Sequence, residues 1–186
     1  MSILALDISG IPRQWISCDD AIKYHATDSV AWSMGETVAR YRGGVQRNGE
    51  LSYIETTSII AVRGHGFDIA RHSKVVLTNP TLFGRDRHIC AYCGGHFENY
   101  KDLSRDHIVP VSRGGVNTWL NAITACKDCN SHKGNKLLEE CGLELRYVPY
   151  VPNHYESMLL RGRNVLADQM DYLKVGIPKH SRVHLN

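Results

Sequence analysis

No run of apolar residues in this 186-residue chain approaches the ~20 that a membrane-spanning helix needs. A basic leader is missing as well: the opening MSILALDISGIPRQW meets Asp7 and Pro12 early, so it reads as no signal peptide. The expected location is therefore the cytoplasm, of the chain's own cell or of a host cell. There is no internal repeat and no low-complexity tract, which sets aside solenoids and disordered linkers. The charge excess is slight, +3 overall, too little to make the whole surface a polyanion binder. Apolar content of 42% and charged content of 22% are those of an ordinary globular chain, long enough for one core or for a domain and an appendage.

The small excess is localised. Residues 1–80 hold eight Lys/Arg against eight Asp/Glu, and residues 138–186 hold six of each. Residues 81–137 hold eight basic against five acidic groups, so the whole excess falls there, where it would suit a phosphate-bearing partner. Chance unevenness explains it equally well.

The pattern divides the chain into a β-rich region over 1–80, a Cys-, His-, Arg- and Gly-rich region over 81–142, and an extended segment with a helical tail over 143–186. In the first region LALDIS predicts a strand and SCDDAIKYHATD a short helix capped by Ser17. ETVARYRGGVQ and LSYIETTSIIAV predict two strands around Asn48-Gly49, a type I′ hairpin signal. RGHGFD and LTNP predict turns. RYRGG, Arg40 to Gly44, interleaves an aromatic with bases and reads as an edge strand or a nucleic-acid contact. In the second region TLFGRDRHI predicts a helix, NYKDLSRDHIVPVS a hairpin with Asp106 and His107 on its second arm, and NTWLNAITAC a short helix or turn capped by Asn117. NSHKGNKLLEECG predicts one helix ending at Gly142. RYVPYVP is extended, and NVLADQMDYLKVG places Val165, Leu166, Met170 and Leu173 on one helical face.

Six cysteines in a reducing compartment argue against a disulfide framework. Four of them form two CxxC pairs, Cys90/Cys93 in CAYCGG and Cys126/Cys129 in CKDCN, a strong pattern for tetrahedral Zn²⁺ held by four thiolates. A redox-active CxxC competes, but no βαβ pattern surrounds either pair. Cys18 and Cys141 read as ordinary thiols. The residues between the pairs, 94–125, exceed the ~15–20 of a simple zinc ribbon, so something is inserted there. Four thiolates leave zinc no open position, and any chemistry must come from that insertion. It contains LSRDHIVPVSRGG, where Asp106 stands against His107. That pair reads as a solvated ion pair on a strand and turn, or as a metal ligand beside a general base.

CAYCGG … LSRDHIVPVSRGGVNTWLNAITACKDCNSHKGNK, within residues 83–140, resembles the zinc-containing HNH endonucleases, whose active unit is the ββα-metal (His-Me finger) motif. The resemblance rests on CxxC, Asp-His-Ile-Val-Pro, Ser-Arg-Gly-Gly, an internal Asn and CxxC-Asn-x-x-Lys-Gly, in that order. It implies an α+β fold: a ββα-metal nuclease core stabilised by a four-cysteine zinc site, with a β-rich N-terminal region and a helical C-terminal tail. It implies His107 as general base, Asp106 and Asn130 as ligands of a catalytic Mg²⁺ or Mn²⁺, and Asn121 as a brace of the loop that orients the histidine. The position after Cys129 is often His in the family and is Asn here, and oxygen donors favour the harder ions.

Residues on one strand alternate sides, so Asp106 and His107 can serve opposite sides of one phosphate. Activated water on one side and charge neutralisation on the other are what phosphodiester hydrolysis needs. Arg113 and backbone N–H groups of the SRGG turn, with Lys133, Lys136 and His132, are the expected phosphate contacts. Arg85 and Arg87 either touch nucleic acid or pair with Asp86, while His88 and His96 flank a zinc that is already satisfied. The expected partner is double-stranded DNA, cut one strand per site, with a homodimer left open and the cell bacterial or a phage-infected host. The N-terminal segment resembles a region upstream of the core in some bacterial and phage HNH proteins. A zinc-ribbon nucleic-acid-binding module without catalysis and an RNA-cleaving nuclease are the alternatives.

Overall fold

The computed structural model describes residues 1–64, 75–179, 181 and 182. The chain forms two compact units, Met1–Lys74 with His154–Ile177, and Val75–Asn153 with Pro178–Asn186. The three segments drawn from composition are thus two bodies in space, because the tail returns to the N-terminal strands. The RGHGFD turn lies, past Gly64, outside the described residues.

The first unit is a four-stranded sheet of order β2-β1-β4-β3, built from β1 (Ser2–Leu6), β2 (Pro12–Ser17), β3 (Val30–Val45) and β4 (Leu51–Val62). β1 runs parallel to β4 and antiparallel to β2. Its residues Ile3 to Leu6 are all fully buried, because both faces of the sheet are covered. Ile3 and Ala5 pack with Ala21 and Ile60 on the side of α1 (Cys18–Ala26). Leu4 and Leu6 pack on the other side with Met158 and Leu173, from α5 (His154–Arg161) and α6 (Ala167–Lys174). Buried Gln169 ties α6 to the sheet by donating to Ser2 O and Ser58 O at 2.9 and 2.8 Å.

Ser17 caps α1 as expected, its hydroxyl accepting from Asp20 N, with Asp19 and Asp20 in the positive first turn. The LALDIS strand stops at Leu6, where Asp7 turns the chain by accepting from Ser9 N and Ile11 N. The hairpin at Asn48-Gly49 forms, but not as a type I′ turn. Gly49 alone among the loop residues has a positive φ, +84°, and its N–H donates to Gln46 O. That is a three-residue loop with a glycine bulge, to which Arg47 adds the extra residue. β2, the first half of β3 and α5 carried no expectation.

The second unit begins with α2 (Asn79–Arg85). LTNP is the cap of this helix rather than a free turn: Thr78 and Thr81 bond each other's backbone N–H reciprocally, and Pro80 sits in the first turn. β5 (Leu103–His107) and β6 (Ala122–Cys126) pair antiparallel. Asp106 and His107 therefore lie on the first arm of this ribbon, and the AITAC stretch expected as helix or turn is its second arm. All five residues of β6 are buried, so no polar alternation marks it as a strand.

Its outer edge is satisfied by side chains. Arg85 and Asp86, both without exposed surface, form a forked ion pair. Arg85 also donates to Trp119 O and Ala122 O, and Asp86 accepts from Thr124 N at 2.9 Å. Every polar group of this buried pair is engaged, as its desolvation requires. Arg85 is thus a structural strut and not a nucleic-acid contact.

After β6 the chain forms two short helices, α3 (Lys127–Lys133) and α4 (Leu138–Cys141), instead of one. Gly134 ends α3 at φ +53° with its N–H on Asn130 O, and Gly142 closes α4 in the left-handed region, as expected.

Candidate functional site

The four paired cysteines converge. Their sulfurs all lie within 4.8 Å of one another. Zn–S bonds of ~2.3 Å place tetrahedral sulfurs roughly 3.8 Å apart, so the cluster suits such an ion. The turn at Cys90 is closed by Gly94 N donating to Cys90 O and Cys90 N to Gly95 O, and Ala91 N ties it to β6 through Thr124 O. Cys126 caps α3, its sulfur accepting from Cys129 N.

Burial opposes charge on Cys90, yet backbone hydrogen bonds around Cys126, Cys93 and Tyr92 hold its thiol below the ordinary range. Burial pushes the Cys126 and Cys129 thiols up, and neighbouring sulfurs add to it. Four such groups carry charge together only around a cation. These cysteines can bind a metal ion, and a hydrophobic cluster including Ala91, Tyr92, Ile123 and Ala125 surrounds them.

At the other end of the ribbon stands the Asp106–His107 pair. Leu103 is opposite Cys126 and His107 opposite Ala122, which separates the two ends by about 13 Å at ~3.3 Å per residue. Alternation sends Ser104 and Asp106 to one face and Arg105 and His107 to the other.

On the first face lies α3. Asn130 donates its amide to Ser104 Oγ at 2.8 Å, and one turn later Lys133 reaches Asp106 Oδ1 at 3.3 Å and His107 O at 2.8 Å. Tyr92 donates to Asp106 Oδ2 at 2.5 Å, and the backbone N–H of His107 donates to Oδ1 at 2.7 Å. Burial pushes the Tyr92 phenol up, and the hydrogen bond to Asp106 adds to it, so Tyr92 remains a donor.

On the second face, His107 Nε2 lies 3.1 Å from Asn117 Oδ1. Arg105 donates to the same oxygen at 3.1 Å and, through Nε and Nη2, to Asn79 Oδ1 at 2.9 and 2.7 Å.

Asn121 clamps the loop that follows. Its oxygen accepts from Val109 N and its amide donates to Val109 O and Val116 O, at 2.9 to 3.0 Å. Gly115 is the residue this loop demands, because a Cβ there would stand 1.8 Å from Val109 O. The N–H groups of Arg113 and Gly115 both donate to Pro110 O and that of Gly114 to Val111 O. They close the turn and do not face a phosphate as expected.

The expected phosphate contacts divide. His132 and Lys136 are exposed on the surface. Arg113 is exposed but pairs with both oxygens of Glu140 at 2.7 Å, which holds the Glu140 carboxyl below its ordinary range. Lys133 has no exposed surface and cannot lie along a nucleic-acid backbone; its ammonium is turned inward to Asp106. Sequence reading missed Tyr92, Arg105 and Asn79 as partners of the pair. Their only signal is position: Tyr92 lies between the two cysteines of the first pair, and Arg105 two residues before His107.

The chain has no match among curated proteins. Residues 90–145 match the family model described as HNH endonuclease. That span holds both cysteine pairs, the ribbon and α3, and over it the chain is similar to the HNH endonucleases.

Proposed function

We propose that the protein is a metal-dependent endonuclease that hydrolyses phosphodiester bonds of DNA, one strand per active site. The reading is carried by one observation: consecutive residues Asp106 and His107 project to opposite faces of β5, each into a dedicated polar set. The ribbon with α3 against it supplies the ββα arrangement, and the four-cysteine cluster serves as its structural zinc site.

In this reading Asp106 and Asn130 hold the divalent ion. Two oxygen-bearing side chains are the donor type a hard cation takes, and such an ion would have to compete at Asp106 with Tyr92, the His107 N–H and Lys133, of which Lys133 at 3.3 Å is the longest contact. When bound, such an ion neutralises charge on the phosphoryl and departing oxygens. His107 takes a proton from the attacking water. The new bond joins that water's oxygen to phosphorus, and the bond to the 3′ oxygen breaks. The departing oxygen takes a proton from solvent, leaving a 3′-hydroxyl and a 5′-phosphate. Asn121 holds the loop after His107, and Lys133 neutralises Asp106 from behind.

The test is incubation of purified protein with supercoiled plasmid, with Mg²⁺, Mn²⁺ or chelator, and structured RNA in parallel. Metal-dependent nicked circles ahead of linear DNA support the reading. Cleavage of RNA alone replaces its substrate. Binding of DNA without any cleavage, at every metal, overturns it in favour of a binding module.

A further inference from the structure

The face of β5 opposite the proposed ion site holds a chain of side chains whose chemistry admits one arrangement of protons. Arginine only donates. Arg105 Nε and Nη2 both meet one atom of Asn79, and Arg105 Nη1 meets one atom of Asn117, so both of those atoms are amide oxygens. The same Asn117 oxygen faces His107 Nε2 at 3.1 Å. An amide oxygen only accepts, so Nε2 must carry the hydrogen and donate it. The neutral imidazole then keeps its lone pair on Nδ1, and no hydrogen bond to Nδ1 is present among the described residues.

The four links are anchored in three different elements. Asn79 belongs to the first turn of α2, Arg105 and His107 to β5, and Asn117 to the loop that Asn121 clamps at Val109 and Val116. The histidine ring is thus held from outside its own strand, by an oxygen whose direction a guanidinium fixes.

We propose that Asn117, oriented by Arg105 and Asn79, is a positioning residue that holds the His107 ring with hydrogen on Nε2 and presents Nδ1 to the water. The proposal rests on the reading of His107 as the base. It assigns Asn117 a role distinct from that of Asn121, whose side chain bonds backbone groups of Val109 and Val116. Asn117 is exposed, and among the described residues its side chain bonds no backbone group, so replacing it leaves the fold intact.

The test is a long-range ¹H–¹⁵N correlation spectrum of the full-length, zinc-loaded protein labelled in histidine, with His107→Ala to assign the ring signals. The expected wild-type pattern is that of the Nε2–H tautomer. Asn117→Ala is expected to mix the two tautomers and to lower kcat by about 10²-fold, the scale of a misplaced catalytic group, with KM and zinc content unchanged. Asn117→Asp keeps an accepting oxygen and is expected to restore the single tautomer and most of kcat. A wild-type ring protonated at Nδ1, or an Asn117→Ala protein with the wild-type tautomer and kcat, overturns the proposal. The tautomer is read without turnover, so a protein that cuts nothing removes the nuclease reading and still leaves this one decided by the spectrum.

Discussion

Tyr92, set between the two cysteines of the first pair, donates its hydroxyl to Asp106 at 2.5 Å. One short turn therefore positions two sulfurs of the cluster and the carboxylate at the far end of the ribbon. Tyr92 and Asp106 are both buried, so the bond is formed away from water. Metal binding at the cysteines and the geometry at Asp106 are mechanically joined through this side chain.

Tyr92→Phe isolates that joint. The ring stays in its apolar cluster, and only the donor is lost. A buried carboxylate deprived of one donor costs about 1–3 kcal/mol. The expected result is a protein with full zinc content, a denaturation midpoint lowered by an amount of that order, and reduced cleavage. An unchanged midpoint and rate would show that water replaces the phenol at no cost.

The cysteine cluster predicts dependence on metal. Structural zinc sites contribute an apparent ~10–16 kcal/mol in small domains, more than the whole stability of most of them. Protein purified without added metal is expected to contain about one zinc per chain. Cys93→Ser, or a strong chelator, is expected to unfold the second unit, read from the fluorescence of buried Trp119. The first unit has its own sheet and core, so its circular dichroism should persist. A zinc-free wild type with native Trp119 emission excludes the structural role.

Local signals were readable in the sequence, and packing was not. Ser17, Asn48-Gly49, Gly142 and the CxxC pairs act over a few residues: Ser17 and Gly142 cap helices as read, Asn48-Gly49 marks a hairpin though not its turn type, and the CxxC pairs mark a cluster able to hold a metal ion. Ala122–Cys126 failed because a strand clamped between β5 and the Arg85–Asp86 pair is buried all round and shows no period of two. Lys133 read as a surface lysine because nothing in NSHKGNK tells which side of a helix turns toward a carboxylate. The break at Gly134 was equally hidden, since glycine inside an otherwise helical pattern is compatible with continuation. Asn117 reads in the sequence as the cap of a short helix or turn, but no helix follows it and its partner His107 is ten residues away, across a turn whose path Asn121 and Gly115 decide.

In the first unit Asp168 predicts a pH dependence. Burial alone would raise its carboxyl, but Ser58 Oγ and the N–H groups of Glu36 and Gln169 donate to it and hold it below the ordinary value. The folded pKa lies under the unfolded one, so the unfolded state binds the proton more readily. The stabilisation is complete above about pH 4, the unfolded value, and is lost as pH falls through the lower folded value. Urea unfolding of wild type and Asp168→Asn between pH 6 and 3 measures it. Wild type should be the more stable at pH 6, with the gap closing below about pH 4. A gap that stays constant down to pH 3 would count against the assignment.

On the proposed reading, with His107 as base and Asp106 and Asn130 as ion ligands, Asp106 and His107 give the sharpest contrast, because neighbouring residues then have separable roles. His107→Ala removes the base and leaves the Asp106 side untouched: Tyr92, Lys133 and the backbone N–H of residue 107 still bond the carboxylate. Zinc content, fold and DNA affinity should hold while the rate falls by about 10²–10⁴-fold, the usual cost of losing a general base. Asp106→Ala acts differently. It removes an ion ligand and also leaves the fully buried Lys133 ammonium without its carboxylate, so it should lose stability as well as activity. Asn130→Ala removes the second proposed ion ligand without stranding a charge, and should lose activity at wild-type stability. Raising Mn²⁺ should restore part of the activity of Asn130→Ala, less of Asp106→Ala, and none of His107→Ala. Metal titrations of plasmid nicking, run beside urea unfolding of the same preparations, read both properties. Near wild-type cleavage by His107→Ala would show that the base is another group, even in a protein that remains a nuclease.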